Sequence, residues 1–528
     1  MKRTIGTTFA SVMVLSLMMA GVASAETVYN RGNDTDPTTL DIDKTTTVAE
    51  ANLSRDLYEG LVVYDANAKV VPGVAKSWDV SDDGKTYTFH LRDDAKWSNG
   101  DPVKASDFVF AFRRLENPKT AATYANIQYV IKNAEAVNKG DMPPEKLGVK
   151  AIDDHTLEID LENPTPYFLE LLTHQTALPL HQKSVEKYGS DFTKPGNLVT
   201  DGAYKLKSFT PNEKIVMVKN DNYYDADNVQ IDTVNYIPFE DRSACLRRFQ
   251  ANEVQSCSDI PAEQIDYMKK NLGDQVHIAP YLGTYYLPID VREKKLSDPR
   301  VRKAISLVID RQFLADEIWR GTMLPGYSMV PPGIGNYFDP VYIESKGKDL
   351  FDREDEAKKL LKEAGVQPGD LTVELRYNTS ENHKNTMTAV ADMLKNIGIK
   401  AKLVEMEGTG YFDYLKSGAK YDIARAGWIG DYSDPQNFLF LFKSQNDGFN
   451  YPHWKNQKYD QLMQKASTMQ DLHARSKVLS QAEQLLLSKM PIIPVMYYSS
   501  RSLVSKNLKG WKDNIQNVHI TRYMSIEK

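Results

Sequence analysis

Between Asp355 and Ala426 the chain alternates between helix and strand patterns, and this alternation constrains the fold more than any other sequence feature. The helical pattern is clearest where Met387, Val390 and Leu394 fall on one face. The predicted elements, in order, are a helix over Asp355–Ala364 ended by Gly365, a strand over Leu371–Tyr377, a helix through Ile397 ended by Gly398, a strand over Ile399–Glu405, a helix over Tyr411–Ser417 and a strand over Tyr421–Ala426. This order predicts an open α/β sheet with right-handed crossovers.

Two polar loops are predicted directly after strands of this sheet. They are Asn378–His383 and Gly427–Tyr432, and both carry charged, polar or aromatic residues that a plain turn does not need. Ligands of open α/β sheets lie beyond the carboxyl ends of the strands. We therefore expect these two loops, with His383 and Asp431, to face a ligand.

A hairpin is predicted earlier in the chain, over Trp78–Arg92. Asp83-Gly84 is a typical turn dipeptide, and the aromatic residues Tyr87 and Phe89 alternate with polar neighbours. The pattern predicts two antiparallel strands on either side of this turn.

The first 25 residues have the pattern of a secretory signal peptide. Lys2 and Arg3 precede an apolar stretch over Phe9–Val22, and Ala23-Ser24-Ala25 forms a cleavage site before Glu26. The apolar stretch is too short to span a membrane, and the alternative of a buried N-terminal helix fits poorly with both ends. A lipoprotein needs a cysteine at the mature N-terminus, and the first cysteine is Cys245. We expect a periplasmic protein, cleaved after Ala25 and not lipidated.

The charge balance argues against nucleic-acid binding. The signal segment holds two of the 65 Lys and Arg residues and none of the 71 Asp and Glu residues, which leaves the mature chain eight net negative charges. A nucleic-acid binder would show a basic stripe instead. The 503 residues after Ala25 suffice for roughly two to four domains.

The two cysteines, Cys245 and Cys257, are separated by eleven residues. In an oxidising compartment such a pair can form one disulfide, and the alternative is a pair of buried free thiols. The chain has neither Cys-x-x-Cys nor clustered Cys and His at zinc-ligand spacing, so no metal site is predicted.

No catalytic motif is found in the sequence. The His-Glu-x-x-His, Gly-x-Ser-x-Gly, Gly-x-Gly-x-x-Gly and P-loop patterns are all missing. A Ser/His/Asp site built from distant residues stays open at this point. We expect a protein that is not an enzyme and needs no cofactor.

Several runs together resemble the peptide/nickel-type extracellular solute-binding proteins of ABC importers, most closely the oligopeptide-binding members and including a murein-tripeptide branch. The resemblance covers essentially the whole mature chain. The runs are Ser54–Gly60, Val74–Trp78, Ser81–Arg92, Trp97–Gly100, Pro102–Phe108, Gly148–Glu158, Gly202–Tyr204, Tyr377–Ser380 and Asp422–Pro435.

The resemblance implies a bilobal α/β fold of the periplasmic-binding-protein type, with mixed sheets, three domains and a ligand cleft between the lobes. Lobe I would contain residues 26–60, 185–282 and 499–528, and residues 61–184 would form an accessory domain II. Lobe II would be residues 283–498. The lobes would be joined by crossovers near Gly283–Tyr286 and Met496–Ser500, and they would close on a short peptide held mainly through its main chain.

The resemblance also implies which residues hold the peptide. Asp431 matches the carboxylate that pairs with the peptide's α-ammonium, although a turn-forming aspartate is the alternative. Arg425 and His383 match positions that meet the C-terminal carboxylate, and an internal salt bridge is the alternative for Arg425. The remaining matches are the cleft aromatics Tyr124, Tyr286, Trp428 and Tyr498, which are alternatively ordinary half-buried aromatics, the backbone of Val48, Gly427, and Lys416 in place of an arginine.

The chain departs from the oligopeptide-binding pattern at several of these cleft positions. Gly283 and Ile429 stand where relatives carry two bridged cysteines, so a bridge between Cys245 and Cys257 is a different one. Thr46 replaces an acidic residue, Thr409 a tryptophan and Trp319 a lysine. The ligand pockets can therefore differ from those of the relatives, and Gly430 leans towards the murein-tripeptide branch.

Three alternatives to oligopeptide capture stay open. The ligand can be a dipeptide, a murein tripeptide or a nickel complex in the same fold. The protein can be a periplasmic peptidase, or a holdase for unfolded chains. For the favoured function we expect a monomer that binds a short peptide and delivers it to an inner-membrane ABC permease.

Overall fold

The computed structural model describes residues 26–239, 241–446 and 448–527, and nothing is said of the side chains of Ala262, Gly408 and Thr409. The signal segment and the side chain of Thr409 thus lie outside the described part. No helix among these residues is long and apolar enough to cross a membrane. The strands are β1 (Val28–Gly32), β2 (Val62–Tyr64), β3 (Val70–Pro72), β4 (Ala75–Val80), β5 (Thr86–Leu91), β6 (Val149–Asp153), β7 (Thr156–Asp160), β8 (Tyr204–Thr210), β9 (Lys214–Lys219), β10 (Thr233–Ile237), β11 (Ser256–Cys257), β12 (Val276–Pro288), β13 (Met323–Pro325), β14 (Thr372–Asn378), β15 (Lys400–Met406), β16 (Ile423–Ala424), β17 (Ala426–Ile429), β18 (Ile492–Val504), β19 (Leu508–Lys509) and β20 (Ser525–Ile526).

The α-helices surround these strands in chain order. They are α1 (Val48–Leu57), α2 (Ala105–Glu116), α3 (Ala134–Asn138), α4 (Phe168–Leu171), α5 (Gln182–Tyr188), α6 (Arg242–Gln250), α7 (Ile265–Leu272), α8 (Pro299–Val308), α9 (Arg311–Phe313), α10 (Leu350–Glu363), α11 (Glu381–Lys395), α12 (Gly408–Lys416), α13 (Gln436–Leu439), α14 (Gln457–Ser467) and α15 (Leu472–Lys489). Helix α1 is well fixed at its start, because Thr47 and Glu50 form a capping box.

The described chain folds into two lobes, each with its own hydrophobic core. One core is built from residues between Leu282 and Met496. A second combines residues between Tyr29 and Tyr236 with Val504, Leu508 and Met524 from the C-terminal end. This is the bilobal α/β fold with mixed sheets that the sequence predicts. The three domain boundaries stay a prediction.

Two long antiparallel strands connect the lobes. β12 and β18 each have 13 residues, and their pairing shifts register between Pro280 and Thr284 and again between Tyr285 and Tyr286. They belong to a sheet with the order β17-β12-β18-β11-β1-β10-β9-β8, in which β13 also pairs with β18. The predicted crossovers near Gly283–Tyr286 and Met496–Ser500 lie within these two strands.

The predicted β-α-β-α-β stretch is confirmed. Strands β14, β15 and β16 form a parallel sheet in the order β15-β14-β16, and helices α11 and α12 connect them. Helix α10 precedes the sheet, but it begins at Leu350, ahead of the predicted start at Asp355. The alternating apolar residues of β14 are buried, which is the burial expected for a strand covered by helices.

Both loops that the sequence predicts after the strands are shorter than expected. His383 lies in the first turn of α11, because the helix already begins at Glu381. Gly427 and Trp428 lie in strand β17, which pairs with β12 across the sheet. The prediction that these residues are in loops is therefore wrong, although both segments still follow a strand end.

The predicted hairpin and the cysteine pair each have a clear place. Strands β4 and β5 pair on either side of the Asp83-Gly84 turn, with Val80 opposite Tyr87. Cys245 of α6 and Cys257 of β11 form a disulfide with a Cα–Cα distance of 6.1 Å. Their side chains pack in a small third core together with Phe249 and Met268.

Candidate ligand-binding site

The carboxylate of Asp431 lies at the boundary between the lobes without a cationic partner. It follows strand β17 and accepts a hydrogen bond from the Tyr124 hydroxyl at 3.3 Å. Burial raises the pKa of Asp431 from 3.8 to about 6, and the Tyr124 hydrogen bond offsets part of this rise. No Lys, Arg or His of the described residues forms an ion pair with it, so its negative charge is available for a ligand.

Two cavities meet at Tyr124 and Asp431. The larger has a volume of about 510 Å³ and is lined by aromatic side chains that include Trp428 and Phe449. The smaller has a volume of about 110 Å³ and is lined by residues of both lobes. Its lining from the first part of the chain includes Thr46, Thr47, Val48, Arg55 and His174, and its lining from lobe II is Ile429, Gly430 and Asp431.

Arg425 provides a second unpaired charge, on the same side of the sheet as Tyr285. Its guanidinium donates to the Tyr498 hydroxyl at 2.7 Å and to Oδ1 of Asn378 at 3.3 Å. It also lies 4.9 Å from the centre of the Tyr285 ring. Its Nε is buried and has no hydrogen-bond partner. The internal salt bridge considered for Arg425 is not formed with any carboxylate of the described chain.

His383 lies beside Arg425 and is neutral. Its Nδ1 is 3.5 Å from the Tyr285 hydroxyl, and its side chain is almost fully buried. Burial and the nearby Arg425 charge lower the pKa of His383 to about 3. Trp319 packs against the same group and donates from Nε1 to Thr386 at 3.0 Å. A neutral imidazole there can donate one hydrogen bond without adding charge.

The predicted cleft aromatics divide into two groups. Tyr124 and Trp428 line the large cavity, and Tyr498 contacts Arg425. Tyr286 is different, because it is only 1% exposed and packs against Phe442 in the lobe II core. Since side chains alternate along a strand, its neighbour Tyr285 takes the position beside Arg425, His383 and Tyr498.

The remaining predicted residues lie around the same cavities. Val48 begins helix α1, is 56% exposed and lines the small cavity. Gly427 pairs with Tyr285, and a Cβ at Gly427 would collide with the Tyr498 hydroxyl, so glycine leaves room for that ring. Lys416 ends α12, with its ammonium 5.8 Å from the Phe449 ring centre.

Gly283 and Ile429 are cross-strand partners in β12 and β17. A Cβ at Gly283 would lie 2.5 Å from Cδ1 of Ile429. The two positions that depart together from the resembled pattern are therefore neighbours in space.

Sequence reasoning missed Tyr285 and also Arg55, His174 and Tyr281 of the small cavity. The alternation of strand β12 could have indicated Tyr285. For Arg55 the sequence offers only its membership of the Ser54–Gly60 run, because the absence of a partner depends on the tertiary structure.

Residues 69–450 match the family model described as bacterial extracellular solute-binding proteins, family 5 Middle. The chain is 39% identical over 520 residues to the periplasmic oligopeptide-binding protein OppA of Escherichia coli (strain K12), covering 96% of this chain and 94% of the relative. It is 35% identical to the periplasmic murein peptide-binding protein MppA of the same strain, covering 100% of each.

Two solved structures are similar to this one over nearly their full length. The unliganded open form of the periplasmic murein tripeptide-binding protein MppA has a TM-score of 0.87 and 35% identity, covering 95% of this chain and 98% of that chain. Haemophilus influenzae OppA in complex with the peptide RPPGFSPFR has a TM-score of 0.76 and 36% identity, covering 96% and 100%. The chain belongs to family 5 of the bacterial extracellular solute-binding proteins.

Proposed function

We propose that the protein captures short peptides between its lobes and delivers them to an inner-membrane ABC permease. The observation that carries this proposal is the unpaired Asp431 carboxylate at the junction of two cavities. An α-ammonium group is the complementary charge that every unmodified peptide possesses. A charged pair in a closed cleft is worth more than the same pair in water, because the surroundings are less polar.

The opposite end of the peptide is proposed to meet Arg425. A guanidinium group suits a carboxylate because it can donate two parallel hydrogen bonds. The pairing would satisfy the buried Nε of Arg425 or the Nη atoms that now contact Asn378 and Tyr498. His383 is neutral and close by, so it can donate one further hydrogen bond.

Between the two charges, the peptide main chain is proposed to pair with backbone groups of Val48 and Gly427. Main-chain pairing is common to all peptides, so it provides affinity without selecting a sequence. The aromatic cavity of about 510 Å³ next to Trp428 gives side chains room, and waters can fill the space that a small side chain leaves.

Capture is proposed to proceed by closure of the lobes about strands β12 and β18. The structure superposes more closely on the unliganded open form of a relative than on a relative's peptide complex, although the sequence identities are nearly equal. A ligand that contacts both lobes stabilises the closed form, and the permease can then recognise that shape. We assign residues 283–498 to the moving lobe II and residues 61–184 to domain II.

We propose that the mature protein begins at Glu26, lacks a lipid anchor and acts in the periplasm as a monomer without a cofactor. Relatives described as periplasmic support the compartment. Mass spectrometry of the exported protein tests both the cleavage site and the absence of acylation.

Calorimetry with trialanine and its N-acetylated form tests the function. Trialanine is expected to bind with a stoichiometry of one, and acetylation is expected to weaken binding at least tenfold because it removes the ammonium charge. Equal affinity for both would contradict the placement of the amino terminus on Asp431. Binding of neither would contradict peptide capture.

Murein tripeptide is a second candidate ligand, favoured by similarity to two structures of a murein tripeptide-binding protein. Competition between murein tripeptide and trialanine in the same calorimeter ranks the two. The peptidase and holdase alternatives are tested separately. A tetrapeptide that is cleaved on incubation, or an unfolded protein that displaces it, would replace the capture proposal.

A further inference from the structure

The small cavity holds a second charge, Arg55, that the proposed anchoring of the peptide termini leaves unused. Arg55 lies in the last turn of helix α1 and lines the cavity together with Asp431, Tyr124 and Tyr281. A cation in this position interacts favourably with the helix C-terminus. That interaction still leaves the buried Nε of Arg55 without a hydrogen-bond partner.

No carboxylate of the described chain compensates this charge. The acidic residues of the same helix are engaged elsewhere: Glu50 accepts from Thr38, Thr46 and Thr47, and Asp56 accepts from Tyr236 and Thr521. Burial lowers the pKa of Arg55, and the nearby positive charge of Arg31 lowers it further. Burial and Arg55 together also lower the pKa of His174 to about 3, so this histidine does not supply a second charge.

Arg55 is close to the proposed position of the peptide's amino terminus. Tyr281 lies between the two charges: burial raises its pKa most, Arg55 lowers it and Asp431 raises it. The cavity they share is only about 110 Å³. Because one extended residue spans about 3.3–3.6 Å, a group that reaches Arg55 from an ammonium on Asp431 must belong to the first two residues.

We infer that Arg55 selects peptides that carry a carboxylate within their first two residues. This inference rests on the proposed function, because it takes the amino terminus to be on Asp431. A carboxylate matches the guanidinium in charge and in hydrogen-bond geometry, and it would give the buried Nε an acceptor. Asp431 and Arg55 then recognise opposite charges at the same end of the peptide.

Calorimetry with Ala-Glu-Ala and Ala-Gln-Ala tests the inference in the wild-type protein. The two peptides differ only in the charge of the second side chain. Ala-Glu-Ala is expected to bind at least about tenfold more tightly, which is the low end for close charge pairs in interfaces. Ala-Ala-Glu serves as a positional control, and its affinity is expected to stay near that of trialanine.

The variant Arg55→Met is expected to remove the preference for Ala-Glu-Ala over Ala-Gln-Ala. Arg247→Met is a matched control, because Arg247 is an exposed arginine on α6, outside the cavities that meet at Asp431. It is expected to keep the preference, and circular dichroism checks that both variants fold. If Arg55→Met does not fold, the wild-type ratio and its decrease at high salt decide.

Equal binding of Ala-Glu-Ala and Ala-Gln-Ala to the wild-type protein would overturn the inference while leaving peptide capture intact. A ratio unchanged by Arg55→Met would overturn it too. An equal loss for every peptide in that variant would indicate instead that Arg55 pairs with Asp431 when the lobes close. If no peptide binds to the wild-type protein, the proposed function fails and the role of Arg55 fails with it.

Discussion

Replacing Asp431 with asparagine removes the charge of this side chain and keeps its shape, so the substitution isolates the proposed anchor of the peptide's amino terminus. Losing one partner of a buried charge pair costs roughly 2–5 kcal/mol, which corresponds to a loss of affinity of about 30-fold to a few thousand-fold. We expect a loss in this range for trialanine. For N-acetyl-trialanine we expect Asp431→Asn to have little effect, because that peptide has no ammonium group.

The pH dependence of the same variant provides an independent check. Since the pKa of Asp431 is raised to about 6 in the ligand-free protein, a bound ammonium must hold the carboxylate ionised. Wild-type affinity is therefore expected to be constant above pH 6 and to fall as the pH drops below it, by up to about tenfold per unit. The affinity of Asp431→Asn is expected to be flat over this range.

Stability should change in the opposite direction to affinity. A carboxyl group with a raised pKa destabilises the folded state once the pH exceeds its unfolded value of about 3.9, and the loss is complete above the folded value. At pH 7, Asp431→Asn is thus expected to raise the free energy of unfolding of the ligand-free protein by up to about 3 kcal/mol.

Titration calorimetry and urea unfolding measure the two quantities, with Asp221→Asn as a control because Asp221 is an exposed aspartate. Unchanged affinity for trialanine in Asp431→Asn, or an equal loss for the acetylated peptide, would refute the reasoning.

Three further changes test other parts of the structure. Arg425→Met is expected to reduce at least tenfold the preference for a tripeptide with a free carboxylate over its amide, since it removes the guanidinium that meets that end; calorimetry that gives the wild-type ratio would contradict this. Glu116 is fully buried without hydrogen-bond partners, and burial raises its pKa to about 9. Wild-type stability in urea should therefore fall between pH 5 and 9, by at most ~1.4 kcal/mol per unit, and Glu116→Gln should flatten this slope; an equally steep slope in the variant would rule Glu116 out. Gly283→Cys with Ile429→Cys should form a second disulfide, because cross-strand partners have Cα atoms about 4.5–5.5 Å apart; two free thiols in a thiol assay after air oxidation would show that β12 and β17 do not pair there.

The parts of the fold that depend on local pattern could be predicted from the sequence. The parallel sheet of β14, β15 and β16 follows from apolar periodicity and from glycines that end helices. The hairpin follows from Asp83-Gly84. The rule that ligands lie beyond strand ends also directed attention to Asp431 before its surroundings were known.

What could not be predicted depends on pairing between distant segments. The segment around Gly427 has no strand pattern of its own and becomes a strand only because it pairs with β12. The choice of Tyr286 over Tyr285 was wrong by one residue, and in a strand one residue exchanges the two faces. His383 was expected in a loop although Ser380 before Glu381 is a typical helix start.

The charges of the site show the same limit. That Asp431, Arg425 and Arg55 have no oppositely charged partner in the described chain follows from where their neighbours lie. Sequence alone cannot separate them from paired residues such as Asp434 and Arg475, which form a buried ion pair with a separation of 2.7 Å.

Native mass spectrometry of the protein, purified without denaturation from the periplasm, tests peptide capture most directly. We predict adducts with the masses of short peptides, which disappear when excess trialanine is added and persist when N-acetyl-trialanine is added. A spectrum of the bare protein that stays unchanged with both peptides, or an adduct whose mass fits no peptide, would contradict peptide capture.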